Sequence, residues 1–310
     1  MSVDHTYPLL GKNLPNQLIV GFILIVPFVL TIYAMVSLWG PYFQMTHLVL
    51  MLSMFLFGGL GITVGYHRML THGAFKLRAP AKFLTLWMGI TALQGGPASW
   101  AATHRRHHSL SDQEGDPHSP NVDGFFHAHI GWMLKGRMVQ SGKGYDDLME
   151  DKMVAFFERT QAFWYVFGFI FPAVISYFIG SGFWLGLLWG GFVRAFIMHH
   201  TTWSINSICH MWGARPLKAP DDSRNNVIFG VLGFGEGWHN NHHAFPKSAH
   251  LGLRWYQFDL GKYFLYVLRG LGMVKDVYVP SKEELSKRSW KVIRAAQSAD
   301  EKAKAQKLST

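Results

Sequence analysis

The chain has 310 residues, 49% of them hydrophobic and 15% aromatic, but only 15% charged. A soluble domain ordinarily carries about 25% charged residues, so disorder and coiled coil are excluded and a soluble two-domain protein is strained. The formal charge is +10, and 17 histidines nearly match the 19 acidic residues.

In chain order, residues 18–39 are the first apolar run of about 20 residues, the length that crosses a bilayer. Nothing ahead of it pairs a basic stretch with a cleavage site, so no cleavable signal is expected. Residues 47–66 form a second span, 162–180 a third and 183–205 a fourth. Pro27 and Pro172 interrupt two of them, which neighbouring helices tolerate in lipid. The run 83–93 is too short to cross and ends in Gln94-Gly-Gly-Pro97, so it is expected half-buried or interfacial. From Ser281 the spacing predicts a basic amphipathic tail over 281–310. Ser281 and Glu284 form a capping box there, and Leu285, Val292, Ile293 and Ala296 share one face.

The loops then set the sidedness. Residues 40–46 and 181–182 hold no Lys or Arg, whereas 67–161 hold 11 and 206–310 hold 16; Lys12 and Arg194 are the remainder. By the positive-inside rule both termini and both large polar segments face the cytosol. The expected fold is therefore all-α and membrane-integral: four transmembrane helices in two hairpins under a cytosolic helical cap, with the main domain over 1–280. This sorting accounts for the basic charge without nucleic acid. Arg194, mid-span, is expected to face the bundle interior and meet a polar group. The single Cys209 excludes an internal disulfide or a cysteine-rich metal site and reads as a packed thiol.

Eight histidines fall in three short clusters: His67 and His72; His104, His107 and His108; His239, His242 and His243. In the latter two the i, i+3, i+4 spacing sets three imidazoles on one helical face, able to grip a metal from one side. His67 and His72, five apart, would lie about 140° apart on an ideal helix at 3.6 residues per turn. So many buried imidazoles would each need partners for both ring nitrogens, and a metal supplies them. More ligands are present than one zinc site closes with. The soluble di-iron pattern fails, because only Glu236–His239 gives Glu-x-x-His. The residues alone thus predict a histidine-rich, dinuclear site at the membrane surface, with the metal open among those that suit imidazole.

These boxes resemble the integral-membrane fatty acyl desaturases of the stearoyl-CoA Δ9 type. The resemblance spans about residues 45–280: Gly61-Ile-Thr-Val-Gly-Tyr-His67-Arg68, His104-Arg-Arg-His-His with Asp116-Pro117-His118, Asn206-Ser-Ile-Cys-His210, and Gly235-Glu-Gly-Trp-His-Asn-Asn-His-His243. It implies two irons held by His67, His72, His104, His107, His108, His210, His239, His242 and His243, with Asn206 acting through water. Asp112, Asp116 and Glu236 would orient imidazole rings. It further implies consumption of O2 and two electrons, and a cis double bond at C9 of saturated C16–C18 chains. Trp100, Thr202 and Trp203 would line a bent acyl tunnel, Gln94 would hold the bend, and Phe55 and Gly59 would cap the chain end. On an α-helix the last two lie roughly 18 and 12 Å from His67.

Ala102-Thr103 and Gly95 replace polar residues that serve the CoA head in the animal branch, so acyl-CoA and acyl-lipid substrates both stay open. Gln94-Gly-Gly-Pro97 and His239-Asn-Asn-His-His-Ala look more like bacterial and plastid-type members. No haem-binding His-Pro-Gly-Gly motif occurs, so a separate donor of ferredoxin, rubredoxin or cytochrome b5 type is expected. The other histidines, His5, His47, His118, His127, His129, His199, His200 and His250, are expected outside the metal site. The rivals are a membrane hydroxylase with similar boxes and, from another class, a metal transporter or store.

Overall fold

The structure, a computed structural model, describes residues 14–40 and 42–308, so His5 and Lys12 lie outside the described residues. Among the described residues it is mostly helical, with one small antiparallel ladder of Lys76–Leu77 on Val274–Lys275. Helix α1 is Leu14–Ser37 and α2 is Met45–Leu60. A π-helical stretch, Gly61–Thr71, prolongs α2 without a break. Among the described residues three helices are long and apolar enough to cross a membrane: Leu18–Ser37, Met45–Thr71 and Gln161–Phe178. The first and last bury only 17% and 22% of their apolar windows, against 61% for the middle one. The outer two therefore present broad apolar faces (Phe22, Ile25 and Val36; Phe163, Val166 and Phe178) far beyond what a soluble surface exposes.

Residues 183–211 form one further continuous helix, built of Phe183–Gly186, a π-helical Leu187–Val193, and Arg194–Met211. It is not among the three, because Arg194, His199 and His200 lower its hydropathy. Arg194 is fully buried and donates to three backbone carbonyls: Gly190 at 3.2 Å, Thr91 at 2.7 Å and Gly168 at 3.0 Å. The polar group expected to meet it is thus main chain from two neighbouring segments and its own helix.

The turn before α2 and the turn after Gln161–Phe178 meet at one end. His47 Nδ1 accepts from Gln44 N at 3.2 Å, which leaves Nε2–H to donate to the Ser181 carbonyl at 3.0 Å, and the Thr46 and Ser181 hydroxyls lie 2.8 Å apart. The long polar segments consequently gather at the opposite end, with the histidine clusters.

Helix α3, Ala79–Ile90, starts on a proline in its first turn, where the missing N–H costs nothing. It packs along the π-helical stretch so closely that a Cβ at Gly61 would stand 2.0 Å from the Gly89 nitrogen. Helix α4, Pro97–Leu110, carries the second histidine box, and its N-cap, Gly96, has no side chain to offer. Glu158 in the helix Lys152–Arg159 takes that role, accepting from Ala98 N at 2.8 Å and Ser99 N at 3.3 Å. Glu158→Leu leaves two buried N–H groups unmet and is expected to cost about 1–3 kcal/mol. Burial pushes the Glu158 carboxyl above its ordinary range, so its ionised form loses stability as pH rises through the unfolded and then the folded pKa. Glu158→Gln keeps an acceptor and removes that slope. Thermal midpoints in detergent at about pH 4 and pH 8 should show wild type losing ground to the Gln variant at the higher pH.

The tail differs from the single helix expected. It is two helices, Lys282–Arg288 and Trp290–Leu308, with the capping box at Ser281 and Glu284 present. The break at Ser289 arises because this stretch docks on the chain before it. Lys218 N donates to Arg288 O at 2.7 Å, Trp290 N donates to Pro216 O at 3.1 Å, and Leu285 packs on Leu217 and Phe245.

Candidate metal centre

The nine predicted histidines converge and divide into two groups. Ligand-type nitrogens of His67, His72, His104, His108 and His242 lie within 4.8 Å of one another, and so do those of His107, His210, His239 and His243. Each helical triplet is therefore shared rather than turned on one ion. On α4, His104 and His108 face the first group and His107 the second. On the helix His239–Ala244, His242 joins the first group, and His239 and His243 the second. The π-helical winding brings His67 and His72 together despite their five-residue spacing. With i→i+5 bonding, residues five apart return to nearly one face, and these rings stand 4.9 Å apart.

Four carboxylates stand behind the rings. His107 Nδ1 meets Asp116 at 2.9 Å, His210 Nδ1 meets Asp112 at 2.9 Å, His243 Nδ1 meets Asp221 at 2.5 Å, and His67 Nδ1 meets Glu236 at 2.6 Å. Asp116, Asp112 and Asp221 accept a hydrogen bond from Nδ1–H, fixing the tautomer that leaves Nε2 with its lone pair aimed inward, while Glu236 lies against His67 as a close charge. Burial, reinforced by neighbouring imidazoles, holds His72, His104, His108, His239, His242 and His243 well below the usual histidine range. These rings are neutral at pH 7, the form that binds a metal. His107 is the exception: burial opposes its charge, but Asp116 raises it. Burial works against ionisation of Asp112 and Asp116 too, yet His210 and His107 keep both well below the carboxylate range.

The donor set fits metal ions. Nε2 atoms approach in pairs at 2.8–3.1 Å: His67 to His242, His242 to His108, His108 to His104, His239 to His210 and His243 to His239. At imidazole–metal bonds of about 2.0–2.1 Å, the zinc values, neighbouring ligands of one ion stand roughly 3 Å apart. The Nε2 atoms of His72 and His107 are buried with no hydrogen-bond partner.

Asp112, Asp116 and Glu236 thus stand where the sequence reading expected ring-orienting acids. Asp221 was missed, since it belongs to no box and nothing in its spacing points to His243. His118, set aside as a bystander, forms a third small group with His107 and Asp116, and burial beside His107 takes it down to about 3. Asp221→Ala is expected to lower metal affinity or activity about 10- to 100-fold. Metal retained per chain after chelator dialysis checks it, beside Asp222→Ala as a control.

An apolar cavity of about 520 Å³, mouth included, adjoins the histidines. Its lining brings His67, His104 and His239 together with Trp100, Thr202, Asn206 and Glu236, and with Gly59, Met198 and Phe234. Trp100 stacks on His104 and donates to Gln94 Oε1 at 3.4 Å, and Gln94 Nε2 donates to Thr202 Oγ1 at 2.8 Å. This polar bridge ties the start of α4 to the helix of residues 183–211. Gln94 and Phe55 stand one layer behind the cavity wall. Trp203 faces elsewhere, stacked on His199 at 5.1 Å. His199 is spent on the carbonyls of Ala92 and Leu93, and His200 on His129. Because the π-helical turn advances less per residue than an α-helix, the 18 and 12 Å expected for Phe55 and Gly59 are upper bounds.

The family model for fatty acid desaturase matches residues 41–265. Among curated proteins the chain is 37% identical over 293 residues to a hex-5-enoyl-[acyl-carrier protein] acetylenase of Moorena producens, covering 87% of this chain and 91% of that one. It is 41% identical over 232 residues to Delta-9 acyl-lipid desaturase 1 of Arabidopsis thaliana, covering 73% of each. An acyl-CoA C20 Delta5-desaturase of Anemone leveillei is 40% identical over 238 residues, 76% of this chain and 74% of its own.

Proposed function

The chain belongs to the fatty acid desaturase family, and from that premise we propose that it introduces a cis double bond at C9 of saturated C16–C18 acyl groups. The observation that carries this reading is that both histidine groups contribute to the lining of one apolar cavity. Its ligands are the nine histidines, with Asn206, on the cavity wall, acting through water. Iron bound by them supplies the oxygen activation needed to take hydrogen from an unactivated methylene. The balance is –CH2–CH2– plus O2, two electrons and two protons, giving –CH=CH– and two waters, with the electrons from a separate reduced protein.

The chain's own residues position. Trp100 and the Gln94–Thr202 bridge narrow and turn the cavity beside His104, presenting one pair of methylenes to the histidines. The apolar walls exclude water and hold the methyl half. A near-attack placement of this kind is worth several kcal/mol of barrier, on the order of 7–11 at best. For the carrier, a lipid-linked chain is favoured. Thr103, where the animal acyl-CoA branch is polar, is buried and spends its hydroxyl on Ser99 O and Val139 N. The helix of residues 183–211 is the fourth crossing, and the basic cap with the metal centre faces the cytosol.

Expression of the full chain in a host lacking its own desaturase, with double bonds located by mass spectrometry, tests the reading. Δ9-monounsaturated acids in phospholipid support it. Hydroxy acids instead of alkenes would replace it with the hydroxylase. Purified protein given labelled acyl-CoA or labelled phospholipid, with a reduced donor, identifies the carrier.

A further inference from the structure

Phe234 has no place in the metal centre, yet its position is held against a backbone preference. Its φ is 58°, in the left-handed region that bulky residues avoid. The strained peptide is pinned by Gly261 N, which donates to the Phe234 carbonyl at 3.1 Å, and by the Arg68 guanidinium at 3.4 Å. Such strain persists where the surroundings over-determine it, and it clusters at functional sites. Here its effect is to aim a ring across the cavity from the loop before the third histidine box.

The ring lands on helix α2. A Cβ placed on Gly59 would stand 1.8 Å from Phe234 Cε2, so the glycine is a seat for the ring. Phe55, one turn earlier on α2, packs on its edge with centroids 5.1 Å apart. Gly59 lies eight residues before His67 on one wall, and Met198 lies twelve before His210 on another. The Phe234 ring, seated on Gly59, therefore meets the cavity up the helix from His67, with Gly59 and Met198 beside it in the lining. We infer that the Phe234 ring, seated on Gly59, is the stop that sets how long an acyl chain can be and still bring its reacting methylenes to the histidine groups. This rests on the acyl-chain reading above. It assigns the stop to a side chain that crosses from the third-box loop, so the same loop fixes three histidines and the depth of the cavity.

The test feeds the full chain, in the desaturase-free host, a series of saturated acids differing by two carbons. Each methylene that fits or fails to fit an apolar pocket changes discrimination by about tenfold or more. Phe234→Ala and Phe234→Gly should raise the ratio of longer to shorter unsaturated products by about that factor. Both should do so alike, although glycine relieves the backbone and alanine does not. Phe234→Leu, which keeps an apolar residue for folding, should shift the ratio in the same direction. Gly59→Ala should lower output from every acid, and Gly59→Ala with Phe234→Ala should restore it. An unchanged ratio in variants that still make product overturns the inference, as does a double variant no better than Gly59→Ala. If wild type makes no unsaturated acid, the desaturase reading itself falls; if it does and the ratio does not move, only this inference falls.

Discussion

Replacing His107 by alanine is expected to abolish unsaturated product, a loss of at least ~100-fold, more than the 10–100 typical of residues behind the ligands. His107 belongs both to the four-nitrogen group and to the small group with Asp116 and His118. Its Nε2 is buried with no partner in the protein, and its Nδ1 is fixed by Asp116 at 2.9 Å. Removing the ring leaves Asp116 a buried carboxylate that keeps only its backbone partners, Asp112 N and His118 N. Metal content should fall together with product, measured as iron per purified chain beside lipid analysis of the host. Product at the wild-type level would show that the four-nitrogen group is not the reacting centre.

The largest expected loss of stability belongs to Arg68. Its guanidinium is 1% exposed and forms a paired contact with Asp259, at 2.8 and 3.1 Å, and Asp259 is fully buried. It also donates to Ala249 O at 2.9 Å and Thr63 Oγ1 at 3.0 Å. Asp259 in turn accepts from the backbone of Leu251, Gly252 and Lys262. Both terminal nitrogens of the guanidinium and both oxygens of Asp259 are met, so breaking one side strands a buried charge. Arg68→Met is expected to cost about 3–5 kcal/mol, whereas Arg68→Met with Asp259→Leu should cost clearly less than the two single changes summed.

The pH dependence has a definite sign. Burial pushes the Asp259 carboxyl up, but Arg68 outweighs it and holds the group below its ordinary range. A depressed folded pKa gives stability that is present above the unfolded value of about 3.9 and is lost as pH falls toward the folded one. Urea unfolding in detergent from neutral to acid pH should show that loss in wild type and its absence in Asp259→Asn. Equal slopes in both would remove Asp259 from the account.

The apolar helices were legible because length and hydropathy are local. The runs starting at 18, 47 and 162 begin within four residues of helices Leu14–Ser37, Met45–Leu60 and Gln161–Phe178. The histidine boxes were legible because i, i+4 spacing survives in any α-helix. What stayed hidden depends on contacts between distant segments. The π-helical turn that joins His67 to His72 follows the close approach of Gly61 to α3. Asp221 meets His243 only after the loop before helix Val227–Leu232 folds back. The sharing of each triplet between two groups depends on how α4 and the third-box helix cross, which spacing along one helix does not specify.

Arg194 has a consequence for how the chain is made. A helix with an arginine at its middle is costly to bury until that charge is met. Its distant acceptors, the carbonyls of Thr91 and Gly168, are synthesised 103 and 26 residues before it. Both thus precede the helix of residues 183–211 along the chain, so the partners of its charge are made before it. Assembly then has a direction, with the least apolar helix docking last onto partners laid down first. A chain that misplaces α3 or Gln161–Phe178 cannot seat the helix that brings His210 to the metal centre.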